Sequence, residues 1–127
     1  MANNELDDQR RPAGPWEEYF TDGKVSGRGS YLDGHKDGTW TYFLKTGGVK
    51  ATGDYLAGEL HGAWVWYRAT GGLLQEGAFD RGVQVGPWRR YHASGEVLDE
   101  GDYVDGEKVG EWRTYAKDGT PTRTRRH

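Results

Sequence analysis

Cysteine and isoleucine are both missing from the 127 residues of this chain. Without cysteine there is no disulfide framework, no thiolate metal site and no thiol nucleophile, and nothing implies an oxidising compartment. Other apolar residues are scarce: Leu, Val and Phe together number 19, about 15% of the chain, under the roughly 20% below which disorder becomes the expectation. A thick aliphatic core is therefore excluded. No run approaches the ~20 apolar residues that span a bilayer, and the first residues, MANNELDDQRRPAGP, lack the apolar stretch of a signal peptide. A cytoplasmic protein is the expectation. Strong charge is lacking as well, with a net value of −3, whereas disordered chains combine high net charge with few aromatic residues.

Aromatic residues and glycine are what the chain does have. Six Trp, eight Tyr and three Phe supply a core of rings, and a chain shorter than ~150 residues is expected to form one domain. The 21 glycines are about 17% of the residues, against an average near 7%. Their placement is periodic. Gly14, Gly38, Gly62, Gly86 and Gly110 recur every 24 residues, and Trp16, Trp40, Trp64, Trp88 and Trp112 follow each by two. Tyr19, Phe43, Tyr67, Tyr91 and Tyr115 lie three further on. A second set runs Gly29, Gly53, Gly77, Gly101, followed by Tyr31, Tyr55, Phe79, Tyr103 and by Gly34, Gly58, Gly82, Gly106. The chain is four full units and a partial fifth.

Each unit holds two short aromatic and β-branched segments separated by Asp-Gly, Thr-Gly or Ser-Gly, which is a hairpin pattern. The fold class expected is all-β: an elongated single-layer antiparallel meander of nine or ten strands. Strands are predicted at 14–21, 25–32, 38–45, 49–56, 62–69, 73–80, 86–93, 97–104 and 110–116. A tenth at 120–124 is opposed by Pro121, which cannot donate to a ladder. If Asp22-Gly23 is a two-residue loop, Trp16 lies opposite Gly29 and Trp40 opposite Gly53, so that each ring covers a residue without a side chain. Alternation then puts the Trp, the Tyr31-type and the Val25, Val49, Leu73, Val97 columns on one face, and the Tyr19-type column on the other with Arg28, Thr52, Glu76, Glu100, Asp54 and Asp102.

Units such as GPWEEYFTDG, GTWTYFLKTG, GAWVWYRATG, GPWRRYHASG and GEWRTYAKDG, alternating with GSYLDG, GDYLAG, GAFDRG and GDYVDG, resemble the variant MORN repeat over residues 14 to 119. His61-Gly62 matches the His-Gly pair that often closes such a unit, while Asp37, Val85 and Val109 depart from it. The resemblance implies an elongated, twisted sheet of stacked hairpins and a non-catalytic interaction surface. It also implies, for a stand-alone bacterial chain, an antitoxin or immunity protein; lipid binding has been proposed for such repeats too. Residues 1–13 read as a disordered or loosely attached arm, 14–122 as the repeat domain and 123–127 as a basic tail.

Catalytic groups should break the repeat, since a catalytic site is unique while a scaffold position recurs. His35, His61 and His92 fall in different units without metal-ligand spacing. Ser26, Ser30 and Ser94 lie outside any nucleophile elbow, and GRGSYLDG precedes a turn rather than a phosphate-cradling helix. No enzyme, metal or cofactor is expected. Departures that do stand out are Tyr42 and Trp66, in a column otherwise filled by Glu18, Arg90 and Thr114. They serve either as extra core cover or as a binding anchor. Residues 96 to 111 carry seven carboxylates against Lys108 alone, which is either a solvated margin or a dock for a basic toxin. The candidate partner-binding residues are therefore Tyr42, Trp66, Tyr67, Tyr91, Glu100, Asp102 and Asp105. A protein partner is expected; nucleic acid and anionic membrane are disfavoured by the net negative charge. The alternative is a structural adaptor, self-associating through its sheet edges.

Overall fold

A computed structural model describes residues 4–127. Ten strands follow one another: β1 (Gly14–Tyr19), β2 (Val25–Leu32), β3 (His35–Phe43), β4 (Val49–Leu56), β5 (Glu59–Tyr67), β6 (Leu73–Asp80), β7 (Val83–Tyr91), β8 (Val97–Val104), β9 (Glu107–Tyr115) and β10 (Pro121–Arg126). They form one open antiparallel sheet in sequence order. The expected meander is present. Even-numbered strands up to β8 begin and end where the sequence places them. Odd-numbered strands from β3 begin three residues earlier, because the second turn of each unit is a two-residue hairpin. At Asp33-Gly34 both residues have positive φ, 51° and 83°, the geometry whose twist matches paired strands.

The first turn of each unit is longer than expected. The five residues 20–24 connect β1 to β2; within them Phe20 N–H bonds the Lys24 carbonyl and Gly23 N–H bonds the Phe20 carbonyl, so the loop proper is three residues, closed by a left-handed glycine. The register nevertheless comes out as predicted, with Trp16 opposite Gly29 and Trp40 opposite Gly53, because an extra residue at Ser26 compensates. Glu18 pairs with Gly27 and Tyr19 with Val25. That bulge corrects one assignment. Val25, Val49, Leu73 and Val97 pair with the Tyr19-type column and share its face, not that of Trp, since the bulge reverses the alternation.

Packing corrects the glycine argument in a second respect. A Cβ added at Gly29, Gly53, Gly77 or Gly101 would overlap the indole of Trp40, Trp64, Trp88 or Trp112 respectively. Each ring thus lies over the glycine of the preceding strand, not over its own hairpin partner. These glycines have ordinary φ; the ring above excludes a side chain. The cause is the register shift at that junction: Gly53 pairs with Trp64 but Asp54 with His61, leaving Gly62 and Ala63 over in β5. Each indole Nε1–H donates to the carbonyl after its glycine: Trp40 to Ser30 at 2.9 Å, Trp64 to Asp54 at 2.8 Å, Trp88 to Ala78 and Trp112 to Asp102 at 3.2 Å.

Among the described residues no second layer covers this face, so the rings bury one another. Edge-to-face contacts run from Trp16 through Tyr31, Trp40 and Tyr55 to Trp64, and from Phe79 through Trp88, Tyr103 and Trp112 to His127; Trp66, tilted against Trp64 and edge-on to Phe79, joins the two runs. Trp40 is fully buried and Trp64, Trp88 and Trp112 nearly so. A sheet too poor in aliphatics for a sandwich makes its core from ring pairs, which add stability beyond burial.

Both ends of the chain are tied in. The arm expected over 1–13 divides: residues 1–3 lie outside the described residues, and 4–13 make a narrow turn bridged at Leu6 and Pro12. The Asn4 side chain donates to the Glu17 carbonyl and accepts from Glu17 N–H, both at 2.7 Å, taking the place of a neighbouring strand. Arg123 to Arg126, expected in a tail, belong to β10. Pro121 is tolerated as its first residue, opposite Tyr115, a pair that needs no N–H because the adjacent Ala116–Thr120 pair carries the bond.

Candidate protein-binding site

Tyr42 on β3 and Trp66 on β5 occupy the same repeat position, one unit apart, and both face the Trp side. Tyr42 stacks against Trp40 and Trp64 with centroids 6.0 and 6.5 Å apart, and Trp66 leans on Trp64 and Trp88, each at 5.8 Å. This second row of rings exists only in the middle of the sheet. It floors a groove of about 570 Å³ walled by Phe20, Leu44, Ala51, Tyr55 and Leu60, with Lys45 and Lys50 at the mouth. Tyr42 and Trp66 remain half-buried, so the position supplies both core cover and accessible ring surface.

The N-terminal wall is polar beneath its rings. Lys36 Nζ lies 4.6 Å from the Trp40 ring centroid, 5.1 Å from that of Tyr42 and 5.5 Å from that of Tyr55. It donates to Tyr42 Oη at 2.8 Å, the two phenols share a 2.8 Å bond, and Glu18 stands 3.6 Å from the ammonium. Burial pushes both phenols above their usual value near 10. An acid with a raised folded-state pKa leaves the fold at full stability below its unfolded value and weakens it above. The denaturation midpoint is therefore expected to hold up to about pH 10 and fall beyond it, less steeply in Tyr55→Phe. Urea titrations at pH 8, 10 and 11 check this; identical curves for parent and variant would remove Tyr55 as the cause.

The remaining predicted residues are placed elsewhere. Tyr67, Tyr91, Glu100 and Asp102 lie on the opposite face, and Asp105 is in the β8–β9 turn with φ of 49°. They do not join Tyr42 and Trp66 in one site. Strand alternation also divides the acidic stretch. Asp99 turns to the Trp face, where Arg90 binds it with Nε at 3.0 Å. Glu100 turns away and accepts from Arg89 at 2.9 Å and from Tyr115 at 2.8 Å. Glu111 faces Arg113 and Arg126. Glu96, Asp102, Asp105 and Glu107 have no ion pair among the described residues, and within this stretch only they leave charge for a basic partner.

Sequence reasoning missed Lys36, Glu17 and Asp99. Glu17 is buried to 4% exposure and accepts from Arg28 and Tyr19; nothing in its column, which continues Thr41, Val65, Arg89, Arg113, marks it. Lys36 had a signal, since Lys108 stands at the same repeat position and also covers its tryptophan, Nζ 4.5 Å from the Trp112 ring. The histidines stay apart: His61 Nδ1 accepts from Arg81 N–H and His92 Nε2 meets the Tyr115 carbonyl. Among the described residues no three His, Cys, Asp or Glu side chains converge on a metal-sized site, and no helix is long and apolar enough to cross a membrane.

The MORN repeat variant family model matches residues 13–33 and 84–105, which are the β1–β2 and β7–β8 hairpins. Those two hairpins match the MORN repeat variant, and the same 24-residue pattern recurs in the other units. No curated protein matches it. MORN repeats generally bind proteins or membranes. Here the groove falls between the two matched hairpins, in the units where Tyr42 and Trp66 replace the usual small or charged occupant. The recurrent residues build the sheet, and the departures from the repeat shape the groove.

Proposed function

We propose that this MORN-repeat chain is a non-catalytic, cytoplasmic protein-binding module whose working surface is the aromatic groove over Tyr42, Trp64 and Trp66, and that within this class it is an antitoxin or immunity protein that sequesters one toxin. The observation that supports the reading is the confinement of the second ring row to the middle of one face. A scaffold position would recur in every unit, and Trp and Tyr at a half-buried, ring-floored groove are the residues that dominate interface energetics. The toxin-directed part rests on the MORN resemblance alone.

The test separates the faces. Affinity-purified complexes from the native cell would be compared for the parent, Trp66→Ala and Tyr91→Ala, each checked for an unchanged melting temperature. Trp66→Ala is expected to raise the dissociation rate of the partner by about 2 kcal/mol, roughly thirtyfold, while Tyr91→Ala, on the other face, changes it less than about twofold. Growth of cells expressing the partner with each variant then tests neutralisation. A single stoichiometric partner that is toxic alone supports the antitoxin reading; several partners, none toxic, would replace it with the adaptor. Equal losses for Trp66→Ala and Tyr91→Ala would remove the groove as the working surface.

A further inference from the structure

The meander sorts charge in a way the linear sequence hides. All five-residue turns gather along one margin of the sheet and all two-residue turns along the other. The two-residue margin carries Asp33, Glu59, Asp80, Asp105 and Glu107 against Arg81, with Arg11 reaching Asp33 at 3.5 Å. The five-residue margin is cationic over its first three units: Lys24, Lys45, Lys50 and Arg68 stand against Asp22, whose carboxylate is turned inward onto Lys24 N–H at 3.0 Å. The groove opens on that cationic margin.

None of these four cations has an ion pair among the described residues. Lys24 Nζ reaches only the Lys45 carbonyl at 3.4 Å, Lys45 Nζ lies 5.7 Å from the Phe20 ring, and Arg68 donates to the Tyr91 carbonyl at 2.6 Å. Arg68 Nε is buried without a hydrogen-bond partner. On the inner strands Arg28, Arg89, Arg90 and Arg113 each hold a carboxylate, while Arg123 and Arg125 of the terminal strand β10 stand without one among the described residues. Cations left unmatched beside an apolar floor favour a guest that brings carboxylates, because opposed charge at an interface rim steers encounter and fixes orientation.

We infer that the groove takes an extended acidic segment of a partner protein, with aromatic or aliphatic side chains over Tyr42 and Trp66 and carboxylates at Lys45 and Lys50. This rests on the groove being a protein-binding surface and adds the chemistry of what it binds. The floor is a strip of rings broad enough for two or three side chains, and the lysines lie to one side of it, so the guest's carboxylates fall within a few residues of its apolar anchors. The acidic stretch at residues 96 to 111 plays no part in this contact.

The experiment selects peptides from a random 12-residue phage library on the immobilised full chain, on Trp66→Glu and on Lys45→Glu/Lys50→Glu, all verified by melting temperature; Lys45→Gln/Lys50→Gln replaces the double reversal if that unfolds. Expected are clones with Asp or Glu near Trp, Phe or Leu, whose synthetic peptides lose at least tenfold in affinity on Trp66→Glu and on the double reversal, and several-fold between 50 and 500 mM salt. The double reversal should select basic peptides with the same apolar anchors. Clones that need Trp66 but carry no acidic bias would overturn the inference and leave the protein-binding groove standing. Clones indifferent to Trp66 would overturn both. Binding to phosphatidylserine vesicles that the double reversal abolishes, with no peptide enriched, would assign the lysines to a lipid surface instead. Concentration-dependent self-association lost in the same variant would make the acidic margin of a second copy the guest and overturn the partner assignment.

Discussion

Gly53→Ala is expected to destabilise the fold by roughly 3 kcal/mol, at the upper end for overpacking, although it adds one methyl group in the middle of a strand. The added Cβ would overlap the Trp64 indole, which cannot move out because its Nε1–H is bonded to the Asp54 carbonyl at 2.8 Å and its flanks are held by Tyr55 and Trp66. Gly48→Ala is the control. Its nearest side-chain neighbours, Leu44 and Thr46, would be 3.8 Å from the new carbon, so the change should be neutral or stabilise by a few tenths of a kcal/mol through the unfolded chain. Combined variants identify the ring responsible: Gly53→Ala should add little to Trp64→Ala but its full cost to Trp40→Ala, since coupling is confined to groups in contact. Urea denaturation of the six proteins measures it, and coupling to Trp40 rather than Trp64 would reverse the packing described here.

Periodicity made the sheet legible. A 24-residue repeat of Gly, Trp and Tyr leaves few choices of strand, and the pairing of Trp16 with Gly29 followed from a turn assumed to be two residues long. The turn was in fact three residues with a bulge at Ser26, two errors that cancel in the register of Trp and Gly but not at Val25, whose face is reversed. Which ring lies on which glycine was not legible, because Gly53 has a tryptophan on both sides and only the register shift at Asp54 decides between them. Tyr42 and Trp66 could be singled out as departures from a column. The acidic stretch misled for a physical reason: charges adjacent in sequence point to opposite faces of a strand, and Arg89 and Arg90 on the next strand meet Glu100 and Asp99 one on each side. The cationic margin escaped notice because Lys24, Lys45 and Arg68 sit about 20 residues apart and meet only when the turns stack.

Trp64→Ala is expected to cost about 3–5 kcal/mol, the range for deleting a buried tryptophan, and Trp16→Ala closer to 1–2 kcal/mol. Trp64 is 2% exposed, lies on Gly53 and touches Tyr42, Tyr55 and Trp66. Trp16 is only half-buried, has no glycine bed from a preceding unit, and has one ring contact, Tyr31, at 4.9 Å. Against a total stability of about 5–15 kcal/mol for a domain, the central loss is large enough to divide the sheet. Each strand pairs only with its neighbours in sequence, so the stability of this architecture is close to a sum of neighbouring interfaces. Amide exchange in Trp64→Ala should therefore accelerate first in β4, β5 and β6, with β8 and β9 still protected, whereas Trp16→Ala should release only β1 and residues 4–13. Uniform loss of protection over all ten strands in both variants would show that the sheet opens as a single unit. Because Trp64 also floors the groove, its replacement removes binding together with local order. Trp66, which adds ring surface without a glycine bed of its own, is the position where binding can be changed while the sheet stays intact.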